Sequence, residues 1–167
     1  MAVKKRAIEF FRVSSKRQKD EGFSLEAQSR LAKDYYKTKE SVEEYIRMAK
    51  DVDSAKLIEK LKGFLAKNSR LLEIGSGPGT DWNILSKSYK VVGSDNSAEF
   101  LKRLAIAYPE GKFLNLDAIT ILTEEKFDGI YSNKVLHHLT DVELEKSFKR
   151  QHSILNAEGI VCHSFWK

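Results

Sequence analysis

From Arg70 onward, short apolar runs alternate with stretches of helical period, and this alternation constrains the fold more than any other feature of the chain. Residues 71–74 (LLEI), 90–93 (KVVG), 112–116 (KFLNL), 127–132 (FDGIYS) and 159–165 (GIVCHSF) are too short for helices and read as strands. Helix signals lie between them. Residues 81–88 follow a glycine-rich turn, while Asn96 with Glu99 and Thr140 with Glu143 make capping pairs. Phe100, Leu101 and Leu104, then Leu144, Phe148 and Leu155, recur at helical spacing. Strands separated by helices require right-handed crossovers, which give a mainly parallel sheet with helices flanking it. The expected fold class is α/β.

Upstream of Arg70 the pattern is helical except at its start. Residues 7–13 (AIEFFRV) form a candidate strand and residues 14–22 a polar loop. Ser24 is placed to cap a helix carrying Leu25, Gln28, Leu31 and Tyr35 on one face. Ser41 with Glu44 opens a second, with Val42, Tyr45, Ile46 and Ala49 as its apolar positions. Asp53 or Ser54 caps a third, whose expected buried stripe is Leu57, Ile58, Leu61, Phe64 and Leu65. The chain thus divides into a basic strand–loop–helix arm, residues 1–38, and a body, residues 39–167.

Charge follows the same division. Residues 1–37 hold ten Lys/Arg against five Asp/Glu, which accounts for the whole net charge of +5. Such an arm attracts nucleic acid weakly and without sequence preference. Of the 167 residues 41% are hydrophobic, enough to bury a core, and no apolar run nears the roughly 20 residues of a membrane helix. The lone Cys162 excludes an internal disulfide framework and a cysteine-rich zinc site. Cytoplasmic residence is the expectation.

The segment Glu73-Ile74-Gly75-Ser76-Gly77-Pro78-Gly79-Thr80-Asp81 joins the first body strand to its helix. Glycines let the backbone turn tightly and a ligand approach closely, or serve only as a structural turn. A dinucleotide fingerprint requires glycine at position 80, where Thr80 stands. Pro78 removes an N–H, and the lysine of a phosphate-binding loop is missing, so a polyphosphate is disfavoured. Asp95, past the second body strand, is placed to accept both hydroxyls of a ribose or to cap the next helix. Asp117, after the third, is placed to accept from an adenine amino group or to serve its own loop.

In this order LLEIGSGPGTD, the acid of VVGSDNS, the acid of LNLDA and the segment FDGIYSNKVLHHLT resemble the successive motifs of class I S-adenosylmethionine-dependent methyltransferases. The resemblance covers residues 39–167. It implies a Rossmann-like sheet, S-adenosyl-L-methionine as cofactor and methyl transfer to an acceptor. It assigns the methionine half of the cofactor to Glu73, Gly75, Ser76, Gly77 and Gly79, the ribose to Asp95, and the adenine to the space between Asn96 and Asp117–Ala118. Asp81 would add a second anionic partner and Asn133 a contact to the methionine part. His138 is a catalytic candidate, with a hydrogen-bonded histidine at a helix start as the plainer reading. Adjacent histidines on a helix diverge by about 100°, so His137 and His138 are not expected to share a metal ion. Tyr45 and Met48 resemble the helix that lids the cofactor, or belong to the core; Trp166 lies near the expected acceptor site.

The acceptor is less determined. YSNK stands where an NPPY-type tetrapeptide would point to an amine of a nucleic-acid base, which favours a small molecule. Related domains continue with two more strands, so residues 159–165 are expected to end a C-terminally short sheet. Residues 7–13 are then the candidate cover for a sheet edge, an exposed edge would favour a homo-oligomer, and methyl transfer would be slow or absent. A non-catalytic cofactor-binding protein is the alternative reading; a nucleotide-dependent oxidoreductase is disfavoured by the glycine spacing.

Residues 7–28 carry a second resemblance, to the opening strand and loop of serine recombinases. Ser14 would match the nucleophile that attacks a DNA phosphate, and Arg12 the arginine beside it. The further arginines of that family come from a stretch replaced here, and a serine without them lacks activation and charge stabilisation. Recombination is not expected. A DNA-associated role through the arm is the remaining alternative.

Overall fold

A computed structural model describes residues 6–8, 38–48 and 54–165. Its elements are β1 (Arg6–Ile8), α1 (Lys39–Met48), α2 (Ala55–Lys62), β2 (Arg70–Ile74), α3 (Thr80–Leu85), β3 (Lys90–Asp95), α4 (Ala98–Ala107), β4 (Lys112–Asn115), β5 (Phe127–Asn133), a 3-10 turn (Leu136–His138), α5 (Asp141–Ile154) and β6 (Leu155–Ser164). The strands form one sheet in the order β1-β6-β5-β2-β3-β4, and every pairing among them is parallel. This is the expected α/β Rossmann-like architecture.

The sheet is a buried layer because alternate strand residues serve opposite faces. Leu71, Val91, Tyr131, Ile160 and Cys162 pack with Ile58, Leu61 and Leu65 from the α2 side and with Leu85 of α3. Leu72, Ile74, Val92 and Ile130 pack on the other face with Ile154 of α5. From β2 the chain steps outward to β3 and β4, then returns to lay β5 against the opposite side of β2. The order therefore reverses between β2 and β5, and a crevice opens at their carboxyl ends.

Caps account for most local departures from expectation. Thr140 and Glu143 form the full reciprocal capping box at α5. At α4 the cap is Ser97, whose hydroxyl accepts from Phe100 N, rather than Asn96. Ser41 does not cap α1: Thr38 Oγ1 accepts from Ser41 N at 3.2 Å, one turn earlier. Ser54 precedes α2, but its hydroxyl makes no cap bond and donates instead to Asp81. Phe64, expected in the α2 stripe, is 58% exposed because the helix ends at Lys62 and the chain turns. Leu155, expected on α5, begins β6.

The sheet edge beside β6 is covered. Arg6, Ala7 and Ile8 pair in parallel with Ile160, Val161 and Cys162, so part of the candidate strand at residues 7–13 does lie along that edge. Residues 9–13, Arg12 among them, fall outside the described residues, as do Ser14, the helix expected after Ser24, and Trp166.

Candidate functional site

The glycine loop runs from the end of β2 to the start of α3. Its three glycines, Gly75, Gly77 and Gly79, all adopt positive φ, at 73°, 48° and 84°. At Gly75 a side chain is barred twice: L residues avoid that φ, and an added Cβ would lie 2.5 Å from Val135 Cγ2. The 3-10 turn after β5 is thereby held against the loop. Gly77 is different, since among the described residues a Cβ there would meet only the Tyr45 ring, at 3.8 Å. Tyr45 of α1 thus lies beside the loop, edge-to-face with the buried Phe100 at 5.8 Å.

The loop gives most of its donors to β3. Gly75 N and Ser76 N both donate to Ser94 O at 2.8 Å, Gly79 N to Ser76 O at 2.8 Å, and Gly77 N to Asp95 Oδ2 at 2.9 Å. Pro78 has no N–H to give. A phosphate cradle needs several N–H groups aimed at the ligand, and here they are turned inward.

Acids line the same rim. Glu73 is buried, its Oε2 accepting from Ser76 Oγ at 2.6 Å. Burial, reinforced by Asp81 and Asp95, pushes its carboxyl up to about 8 despite that hydrogen bond. Asp95 is also buried, and its two oxygens accept from Gly77 N and from Ser97 N, each at 2.9 Å. Desolvation raises its pKa against those backbone bonds. Each oxygen keeps a second lone pair. Neither carboxylate forms an ion pair among the described residues.

Asp81 does more than the sequence suggested. One oxygen accepts from Ser54 Oγ, and the other from Tyr131 Oη at 2.8 Å and Asn133 Nδ2 at 3.0 Å. Asn133 is in turn the acceptor for Ser164 Oγ. Both residues were expected to face a ligand, and both are engaged in tying α2, α3, β5 and β6 together. Only the resulting network, invisible in spacing, shows this.

On the β4 side Asn96 is exposed beside Asp95. Leu116 N donates to Asp95 O at 3.2 Å, which sets the following residues, Asp117 and Ala118, next to it. Asp117 Oδ1 caps its own turn, accepting from Ile119 N and Thr120 N. The Ala118 carbonyl accepts from Ser147 Oγ at 2.6 Å, the end of a buried chain that sequence reasoning missed. In that chain Ser132 Oγ meets His163 Nδ1 at 2.8 Å, His163 Nε2 meets Gln151 Oε1 at 2.8 Å, and Gln151 Nε2 donates to Ser147 Oγ at 3.0 Å. The Gln151 oxygen only accepts, so His163 carries its proton on Nε2 and takes one from Ser132. Burial holds His163 neutral, with a pKa near 3.

Across the crevice, His137 and His138 do not diverge as expected. In the 3-10 turn their rings approach to 3.8 Å between centroids. Burial lowers both pKa values, that of His137 to about 3 with help from His138 and Lys134.

A family model described as a methyltransferase domain matches residues 71–159, which span the glycine loop, both acids and the histidine turn. The chain belongs to that family. It is 30% identical over 123 residues to an uncharacterized methyltransferase of Oceanobacillus iheyensis, covering 67% of this chain and 56% of that protein. It is 34% identical over 76 residues to the trans-aconitate 2-methyltransferase of an Enterobacter species, covering 44% of this chain and 30% of that protein. The chain thus spans about half, or less, of the curated relatives it matches. A solved phosphoethanolamine N-methyltransferase from Haemonchus contortus shares the fold at a TM-score of 0.65 and 18% identity, over 83% of this chain and 33% of that one.

Proposed function

We propose that this methyltransferase domain binds S-adenosyl-L-methionine on the β2–β3 side of the crevice and transfers its methyl group to a small-molecule acceptor. The observation that carries this reading is the pairing of inward-turned donors with two buried carboxyl groups, Glu73 and Asp95, that form no ion pair among the described residues. Such a rim rejects polyphosphates and suits a ligand bearing an ammonium and a sulfonium. Asp95 keeps a lone pair on each oxygen for the two hydroxyls of a ribose, and Glu73 orients the loop that carries the ammonium. Gly75, Ser76, Gly77 and Gly79 leave room for the methionine part, with Asp81 and Asn133 holding the floor beneath it. Asn96, Asp117 and Ala118 border the space for an adenine.

When bound, the cofactor supplies an electrophilic methyl on a built-in leaving group, so the protein's main work is alignment. Tyr45, beside Gly77, shields that space from water. His138, kept neutral at pH 7 by burial, is the candidate to take a proton from an acceptor that carries one. Among the described residues no helix is long and apolar enough to cross a membrane, and a cytoplasmic enzyme of small-molecule metabolism suits that finding.

Calorimetry with S-adenosylhomocysteine, using NAD as control, tests the reading. Binding of the first and not the second is expected, and Asp95→Ala should weaken it by about 1–3 kcal/mol, the range for losing a charged hydrogen-bond partner. Tight NAD binding, or no effect at Asp95, would overturn it.

A further inference from the structure

The buried chain that starts at Ser132 runs through His163, Gln151 and Ser147 and ends on the Ala118 carbonyl, in the loop after β4. We infer that Ser147, backed by Gln151 and His163, is a positioning residue that aims the Asp117 carboxylate at the adenine, so that α5 sets the base preference of the cofactor pocket. This rests on the proposed cofactor for the identity of the base, and on the hydrogen bonds of the chain for everything else.

The direction of these hydrogen bonds is forced from their end. A carbonyl only accepts, so Ser147 spends its one hydroxyl proton on Ala118 O, at 2.6 Å. Its oxygen must then accept from Gln151, which turns the amide nitrogen towards Ser147, at 3.0 Å, and the amide oxygen towards His163. His163 answers with its Nε2–H and takes the Ser132 proton on Nδ1. Every proton therefore points towards Ala118. Ser132 and Ser147 are fully buried and Gln151 and His163 nearly so, which makes a broken link costly and lets each bond reinforce the next.

Beyond Ala118 a single peptide group carries the effect to an acid. Its carbonyl is held by Ser147, and its N–H, which belongs to Ile119, donates to Asp117 Oδ1 at 2.9 Å. With both ends tied, the peptide plane is fixed, and the carboxylate with it. Oδ1 takes a second bond from Thr120 N at 3.0 Å, which leaves Oδ2, to which no described residue donates. The loop is also held under strain. Ile121, β-branched and fully buried, has φ 40°, a conformation that persists only where surrounding contacts impose it. Arg150 supplies them, donating from Nε to Ile121 O at 3.1 Å and from its Nη2 to Thr123 O. α5 thus grips the loop by the carbonyls of Ala118, Ile121 and Thr123, while Asp117 Oδ2 is left for a ligand. An acceptor oxygen suits the amino group of adenine and repels the carbonyl that a 6-oxo purine presents in its place.

The test titrates the full chain with S-adenosylhomocysteine and with S-inosylhomocysteine, in which a carbonyl replaces the amino group of the base. Wild type should prefer the first by at least about tenfold, and Ser147→Ala should cut that preference by at least about threefold, whereas a general folding defect weakens both ligands alike. Ser147→Cys refills the space but donates poorly, so it should behave like Ser147→Ala. In the ligand-free protein the Ile119 amide should exchange with solvent at least about fivefold faster in both variants, beyond any change at the amides of β3 that lost stability would cause. Unchanged Ile119 exchange overturns the inference, as does a wild type that binds both ligands equally, or a variant with faster exchange and full preference. Wild-type behaviour of Ser147→Cys assigns the effect to packing and overturns it too. If a Ser147 variant does not fold, Gln151→Met breaks the chain one link earlier and is read in the same two ways. Failure of wild type to bind S-adenosylhomocysteine counts against the proposed cofactor instead, and amide exchange still decides whether Ser147 holds the loop.

Discussion

The phenol of Tyr131 donates to Asp81 Oδ2 at 2.8 Å, joining the centre of the sheet to the first turn of α3. Because Ser54 and Asn133 donate to the same carboxylate, Asp81 gathers three elements around one anion. Removing it strands donors that are partly or wholly cut off from water, each costing about 1–3 kcal/mol. Asp81→Ala should therefore destabilise the fold by at least about 2 kcal/mol in urea denaturation. A loss below about 0.5 kcal/mol would show that water satisfies those donors.

Glu73 should make the stability of the ligand-free chain fall with rising pH between 4.5 and about 8. Its folded pKa, about 8, lies above the ordinary 4.5, so its contribution is fully present below pH 4.5 and is lost as pH rises through 8. Urea midpoints should fall over that interval, and Glu73→Gln should flatten the fall. An unchanged slope in the variant would mean that Glu73 is ionised in the folded chain.

His163 acts in the opposite direction. Its folded pKa lies below the ordinary 6.5, near 3, so its contribution is complete above pH 6.5 and drains away as pH falls towards 3. One such group contributes a slope of about 1.4 kcal/mol per pH unit within that window. His137 and His138 add to the same limb. His163→Leu should remove one proton's share of the slope, besides lowering stability at pH 7 by orphaning Ser132 and Gln151. Proton uptake measured between folded and unfolded states would check this directly.

Much of this architecture was legible beforehand, and the limits were physical. The order of strands and helices followed from periodicity, and the capping box at Thr140 followed from two residues three apart. Caps at Thr38 and Ser97 were displaced because several hydroxyl and amide residues competed within one turn, and spacing alone does not choose among them. The residues around the glycine loop were legible as a set, since Glu73, Asp95 and the glycines sit at fixed offsets from strand ends. The network around Asp81 and the chain through His163 were not, because they join residues up to dozens of positions apart through side-chain geometry. The approach of His137 to His138 was missed for a simpler reason: a regular helix was assumed where a tighter turn formed.

β1 should be needed for solution behaviour. Its backbone covers the N–H and C=O groups of β6, and a bare apolar edge invites association. A chain lacking residues 1–13 is expected to elute as a larger species, or to aggregate, in size-exclusion chromatography. A soluble monomer with an unchanged melting temperature would show that the pairing contributes little.

That same pairing has a consequence for how the molecule is made. Arg6 lies opposite Ile160, so the ribosome emits β1 before every other strand of the sheet and its partner β6 after them. Parallel ladders contain no hairpin to close early, and contacts this distant in sequence form late and slowly. Until β6 emerges, β1 has no native ladder to join. The nascent chain therefore carries an unsatisfied strand while the rest of the sheet is made, a period in which a chaperone or a neighbouring nascent copy competes for it.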